Sequence, residues 1–92
     1  MADENGIDLV FPTVHLNGTA RQDLLYQFAD ASIAIQSAIK ALEAAYPNGR
    51  DYYTQGPDAL RKAEKQAKER IERFASVLGE IALLMEHIAD AP

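Results

Sequence analysis

An all-α hairpin is the fold this sequence predicts: two long antiparallel amphipathic helices joined by one loop, with a short extended N-terminal arm, assembled into an oligomeric helical bundle. Two runs of apolar residues at helical spacing, one on either side of a Pro-Asn-Gly break, carry the prediction. The third observation is size, because a single domain of 92 residues has difficulty burying enough apolar surface alone, so self-association is expected.

Residues 1–6 read as a mobile acidic tail, and residues 7–18 as an extended arm. Within the arm, Ile7-Asp8-Leu9-Val10-Phe11-Pro12-Thr13-Val14-His15-Leu16 alternates only in part. Pro12 cannot donate to a ladder, so a short edge strand or a strap across the helices fits better than a central strand. Thr19-Ala20-Arg21-Gln22 has the form of a capping box, which starts the first helix at Ala20. That helix is expected over residues 20–46. Its seam is Phe28, Ala31, Ile35, Ala38, Leu42 and Ala45, with a second stripe of Leu25, Ser32, Ile39 and Tyr46 beside it. Two stripes make a wider face than one neighbouring helix covers.

Pro47-Asn48-Gly49 ends the first helix, since a proline disfavours helical geometry in the residue before it and Asn-Gly readily takes positive φ. Residues 47–56 form the loop. The second helix is expected over residues 57–89, with Pro57 at its first position. Its seam runs Leu60, Ala63, Ala67, Ile71, Phe74, Leu78, Ile81, Met85, Ile88. Two successive steps of four, through Ala63, Ala67 and Ile71, predict a change of packing geometry there. The alanines allow close backbone approach. The C-terminal half, rich in Phe74, Val77, Leu78, Ile81, Leu83, Leu84 and Met85, offers more apolar surface than one partner helix covers and is the expected oligomer interface.

Composition narrows the functional classes. The net charge of -5 disfavours a general nucleic-acid binder, which needs a field opposite to that of phosphate. Six of the nine basic residues, Arg61, Lys62, Lys65, Lys68, Arg70 and Arg73, nevertheless share one stretch with Glu64, Glu69 and Glu72. Two readings stand: a solvated face laced with pairs such as Glu64 with Lys68 and Glu69 with Arg73, or a surface facing an anion. No apolar run is long enough to span a bilayer, and the opening Met1-Ala2-Asp3-Glu4 is acidic where a secretory leader is basic. A cytoplasmic protein is expected. The absence of cysteine removes disulfides and thiolate metal sites, and His15 and His87 lack the spacing of metal ligands. There is no phosphate-binding Gly-rich loop with a following Lys, no nucleophile elbow and no carboxylate pair set by periodicity. A non-enzyme without cofactor or metal is expected.

Two segments carry residues that folding alone does not require. His15-Leu16-Asn17-Gly18-Thr19 reads either as a capped turn with His15 against a helix, or as a contributor of His15, Asn17 and Thr19 to ligand binding. Residues 47–57 are longer than a helical hairpin needs. Arg50, Asp51, Tyr52 and Tyr53 there are the residue types that recognise a planar phosphorylated ligand: a ring to stack on a base, a guanidinium fork for a phosphate, and amides at a helix N-terminus. The competing reading is a packed loop in which Arg50 pairs with Asp51 or Asp58. His87, close to the seam of the second helix, reads as an interface histidine. The two segments lie at opposite ends of a hairpin, so one site can join them only if subunits pack head to tail or antiparallel.

The pair of segments, His15-Leu16-Asn17-Gly18-Thr19 and Pro47-Asn48-Gly49-Arg50-Asp51-Tyr52-Tyr53, resembles small helical proteins of bacteriophages and prophages. The similarity runs from about residue 14 to the end of the second helix and brings no activity or site residues. A looser likeness of shape is to phage counter-defence hairpins that oligomerise and sequester nucleotide-type immune signals, with no motif shared residue by residue. The expected function is a phage-type sequestering protein for a nucleotide-like signal, in the host cytoplasm. The alternative is an antagonist of a host protein, or a phage assembly factor, docking through the acidic face of the first helix or the apolar end of the second.

Overall fold

The computed structural model describes residues 8–92; the expected acidic tail lies outside them. Two long helices, α1 (Arg21–Ala44) and α2 (Ala59–Asp90), pack against each other, joined by a loop wound into two short 3-10 turns, Gly49–Asp51 and Tyr53–Gln55. At about 1.5 Å per residue they are about 36 and 48 Å long. They run antiparallel: the start of α1 meets the end of α2 where the Arg21 guanidinium donates to the Ala91 carbonyl. At the other end the Tyr46 hydroxyl reaches the Glu64 carbonyl at 3.4 Å. No helix among the described residues is long and apolar enough to cross a membrane.

The α2 seam follows the apolar spacing. Ala67, Ile81 and Ile88 are the buried apolar residues of the described chain, at 5%, 7% and 0% exposure. No residue of α1 is buried to that degree, and its two stripes are half-covered, apart from exposed Ala45 and Tyr46. A hairpin is one helix thick on each side of its seam, so most seam residues keep a flank toward solvent. The dimensions reflect this: 61 × 24 × 16 Å, with a radius of gyration of 18.3 Å against about 12 Å for a compact domain of this length. Phe74, although on the seam, remains 37% exposed, and Val77 and Leu83 of the same half are 41% and 38% exposed.

Several local expectations are corrected. The capping box does not form: α1 begins at Arg21, and Ala20, the residue at the cap position, has no side chain to accept an amide proton. Its carbonyl accepts from the Leu24 amide at 3.1 Å instead. Thr19 is exposed and Gln22 lies within the first turn. Likewise α2 begins at Ala59 rather than Pro57, with Asp58 at the cap and no side-chain capping bond. The first helix ends at Ala44, two residues short of Tyr46. Asn48 and Gly49 do not take positive φ; among the described residues only Gly56 does, at 105°. Asn48 is extended at φ -113°, and its side chain accepts the Arg50 amide. No strand forms among the described residues, so the segment before α1 is not an edge strand.

Arg21 ties the ends together. Besides Ala91, it donates to the Pro92 carbonyl at 3.2 Å, and its Nε is shut off from solvent without a partner among the described residues. A cation held just beyond the last turn of α2 lies at the negative end of the helix dipole. Arg21→Ala is expected to lower stability by about 1–2 kcal/mol, measured as the urea midpoint at unchanged slope. A loss below the error of that midpoint would show the contact to be incidental.

Candidate functional site

The loop is built by its own backbone. The Asp51 amide donates to the Asn48 carbonyl at 3.0 Å, the Tyr52 amide to Gly49 at 3.1 Å and the Gln55 amide to Tyr52 at 3.0 Å. The Asn48 side chain takes the Arg50 amide at 3.0 Å. These bonds wind residues 48–55 tightly and occupy the amides of Arg50, Asp51, Tyr52 and Gln55. Gly56, at φ 105° and ψ 170°, then turns the chain into α2, a conformation that only glycine adopts without strain.

This winding brings Arg50, Tyr52 and Tyr53 around one open hollow of about 680 Å³, shared with Gly49, Pro57 and Leu60. Tyr53 is 76% exposed, whereas Tyr52 is half-buried and also borders an interhelical hollow of about 130 Å³ beside Leu42 and Ala67. One ring is thus anchored in the end of the core and the other is free to stack. Arg50 is exposed and, among the described residues, forms no ion pair, so the packed-loop pairing with Asp51 or Asp58 is not present. Asp58 is held instead by Arg61 at 3.2 Å, with both side chains largely exposed. A carboxylate at the start of α2 already answers the helix dipole, so an anion at this end depends on Arg50 rather than on the α2 amides. Asp51 is exposed and does not line the hollow.

The second segment stands at the other end of the rod. The Gly18 amide donates to the His15 carbonyl at 3.1 Å, closing a turn, and the His15 ring folds over Gly18 so closely that a Cβ there would lie 2.7 Å from Nε2. His15 therefore rests on its own turn, not on a helix. His15, Asn17 and Thr19 are all exposed, and none lines the hollow at that end. That hollow, about 720 Å³, is lined by Phe11, Val14, Leu83, Glu86, His87 and Asp90 among others. His87 is exposed rather than settled on the seam, and its ring lies 4.6 Å from that of Phe11 at 32°.

The structure thus gathers three of the seven residues singled out in the sequence and leaves His15, Asn17 and Thr19 far from them in the same chain. The expected pairs of Glu64 with Lys68 and Glu69 with Arg73 do not close; Arg61 with Asp58 is the ion pair among the described residues. The Phe11 and His87 contact and the Arg21 clamp were not foreseen. No local pattern links residues so distant in sequence. No family model, curated protein or solved structure matches this chain.

Proposed function

We propose that this protein is a non-enzymatic, self-associating binding protein whose interhelical loop recognises a planar, anionic, nucleotide-like ligand. The observation that carries the reading is the hollow shared by Arg50, Tyr52 and Tyr53: a guanidinium without an ion pair among the described residues, an anchored ring and an exposed ring line one open volume large enough for a nucleotide. Stacking on Tyr53 and a forked contact from Arg50 are each worth about 1–3 kcal/mol in such sites. The phage-type setting, with an immune signal as the sequestered ligand in the host cytoplasm, rests on the sequence resemblance and belongs to the same proposal.

Self-association is supported by shape. The chain exposes 6806 Å², against about 5300 Å² for a compact monomer of its mass. The excess, about 1500 Å² per chain, is about twice the roughly 800 Å² that each partner contributes to a standard protein interface. In this reading residues 8–19 act as an arm over the end of the helix pair, and His15, Asn17 and Thr19 reach the ligand of another copy.

Purified protein melted with a panel of cyclic and linear nucleotides is expected to gain about 3 kcal/mol at a hundredfold excess of ligand over its dissociation constant. Arg50→Ala is expected to weaken binding about ten- to a hundredfold. Unchanged melting across the panel contradicts ligand recognition. The second reading, antagonism of a host protein or a role in phage assembly, is favoured by the outward Tyr26 and Ile33, 61% and 62% exposed, and calls for a complex of fixed stoichiometry with that partner.

A further inference from the structure

We infer that two copies of this chain dock antiparallel through the outer faces of α2, the basic N-terminal half of each helix lying in the groove beside Phe11 at the C-terminal end of the other. The inference rests on the self-association proposed above, and not on the identity of the ligand.

Two observations converge. The groove of about 720 Å³ is lined by Phe11, Val14 and Leu83 together with the carboxylates of Glu86 and Asp90, so it offers an apolar surface with negative charge beside it. Its occupant should therefore carry cations on long aliphatic stems. Charge along α2 is divided to match: six Lys and Arg against three Glu over residues 61–73, then Glu80, Glu86 and Asp90 with no Lys or Arg over residues 74–90. A parallel pairing would set like charges together, whereas an antiparallel one sets opposite charges together.

The register follows from helical spacing. Arg61, Lys65, Lys68, Glu72, Gly79, Leu83, Glu86 and Asp90 share one face, separated by whole turns or by steps of three and four. A twofold axis between residues 75 and 76 places Arg61 opposite Asp90, Lys65 opposite Glu86, Lys68 opposite Leu83 and Glu72 opposite Gly79. Such an isologous contact repeats each pair twice. The stem of Lys68 covers Leu83, which is 38% exposed in the single chain, and Glu72 faces a glycine whose Cβ position has nothing within 4 Å. The exposed pair of Arg61 with Asp58 is weak enough to rearrange. In this arrangement the loop of one copy lies beside the N-terminal segment of the other, which joins Arg50 and Tyr53 to the end of the rod that bears His15 and Phe11.

Charge exchange tests the register. Lys65 and Glu86 lie about 31 Å apart along α2, so one cannot rescue the other within a chain. Lys65→Glu and Glu86→Lys, each alone, are expected to raise the dimer dissociation constant about tenfold or more at low salt. The double variant should return to within about threefold of the starting protein, because exchange restores both symmetric contacts. Because the chain has no cysteine, a Lys68→Cys/Leu83→Cys double variant should oxidise to a covalent dimer. A dimer insensitive to both reversals, a double variant as weak as the singles, or failure to crosslink overturns the register while leaving self-association intact. A starting protein that stays monomeric overturns both, and neither result bears on nucleotide-induced stabilisation.

Discussion

Replacing Ile88 with alanine is expected to cost about 2–4 kcal/mol and to lower the melting temperature by about 10–20 °C. Ile88 is fully buried, at 0% exposure, although it lies within a turn of the end of α2. Other parts of the chain also meet at that end: Phe11 lies against His87, and Arg21 reaches Ala91 and Pro92. Removing three carbons leaves a cavity that a rod with one layer of contacts fills only by drawing its ends together. Total stability for a domain of this length is about 5–14 kcal/mol, so the loss is a large share of it. Chemical denaturation of Ile88→Ala with an unchanged slope reads the cost directly. A change below about 1 kcal/mol would mean that this end frays and that Ile88 is not part of the core.

Gly56→Ala is the second large effect, expected at about 2–3 kcal/mol. Its cause is backbone geometry. Gly56 lies at φ 105° and ψ 170°, a region essentially restricted to glycine, where other residues carry about 1–3 kcal/mol of strain. Nothing lies within 4 Å of the added Cβ, so no clash contributes. Gly49→Ala is the matched control. There φ is not positive and the Cβ meets Leu60 at 3.6 Å, an ordinary contact, so a change of less than about 0.5 kcal/mol is expected. Equal costs at the two glycines would show that the turn into α2 is not built as described. Because Gly56 also borders the hollow of Arg50 and Tyr53, its substitution should weaken ligand binding along with stability, whereas Gly49→Ala should leave stability nearly unchanged.

Much of the fold was legible because helical periodicity reports which face turns inward. Ala67, Ile81 and Ile88 all fall on the expected seam. Periodicity does not report how fully a partner covers that face, which is why Phe74, on the same seam, is 37% exposed. Helix ends were missed by one or two residues for a different reason. The Thr19 and Gln22 pattern fits a capping box, but the chain leaves the turn over residues 15–18 extended through Ala20, with ψ 144°, so the helix starts one residue too late for Thr19 to cap it. In the loop, the residue types at 50–53 indicated a recognition surface, yet only the 3-10 winding separates Arg50, Tyr52 and Tyr53 from Asp51. Arg21 and the Phe11 and His87 pair were invisible in sequence, since each depends on the two ends of the chain meeting.

Sedimentation equilibrium of the full chain over a wide concentration range tests the central claim most directly. A rod of two helices that leaves its seam half-covered should sediment as a multiple of 10.1 kDa, and its melting temperature should rise with protein concentration, as mass action requires of an assembly. A single species of 10.1 kDa at every concentration, with a melting temperature that does not move, would contradict it.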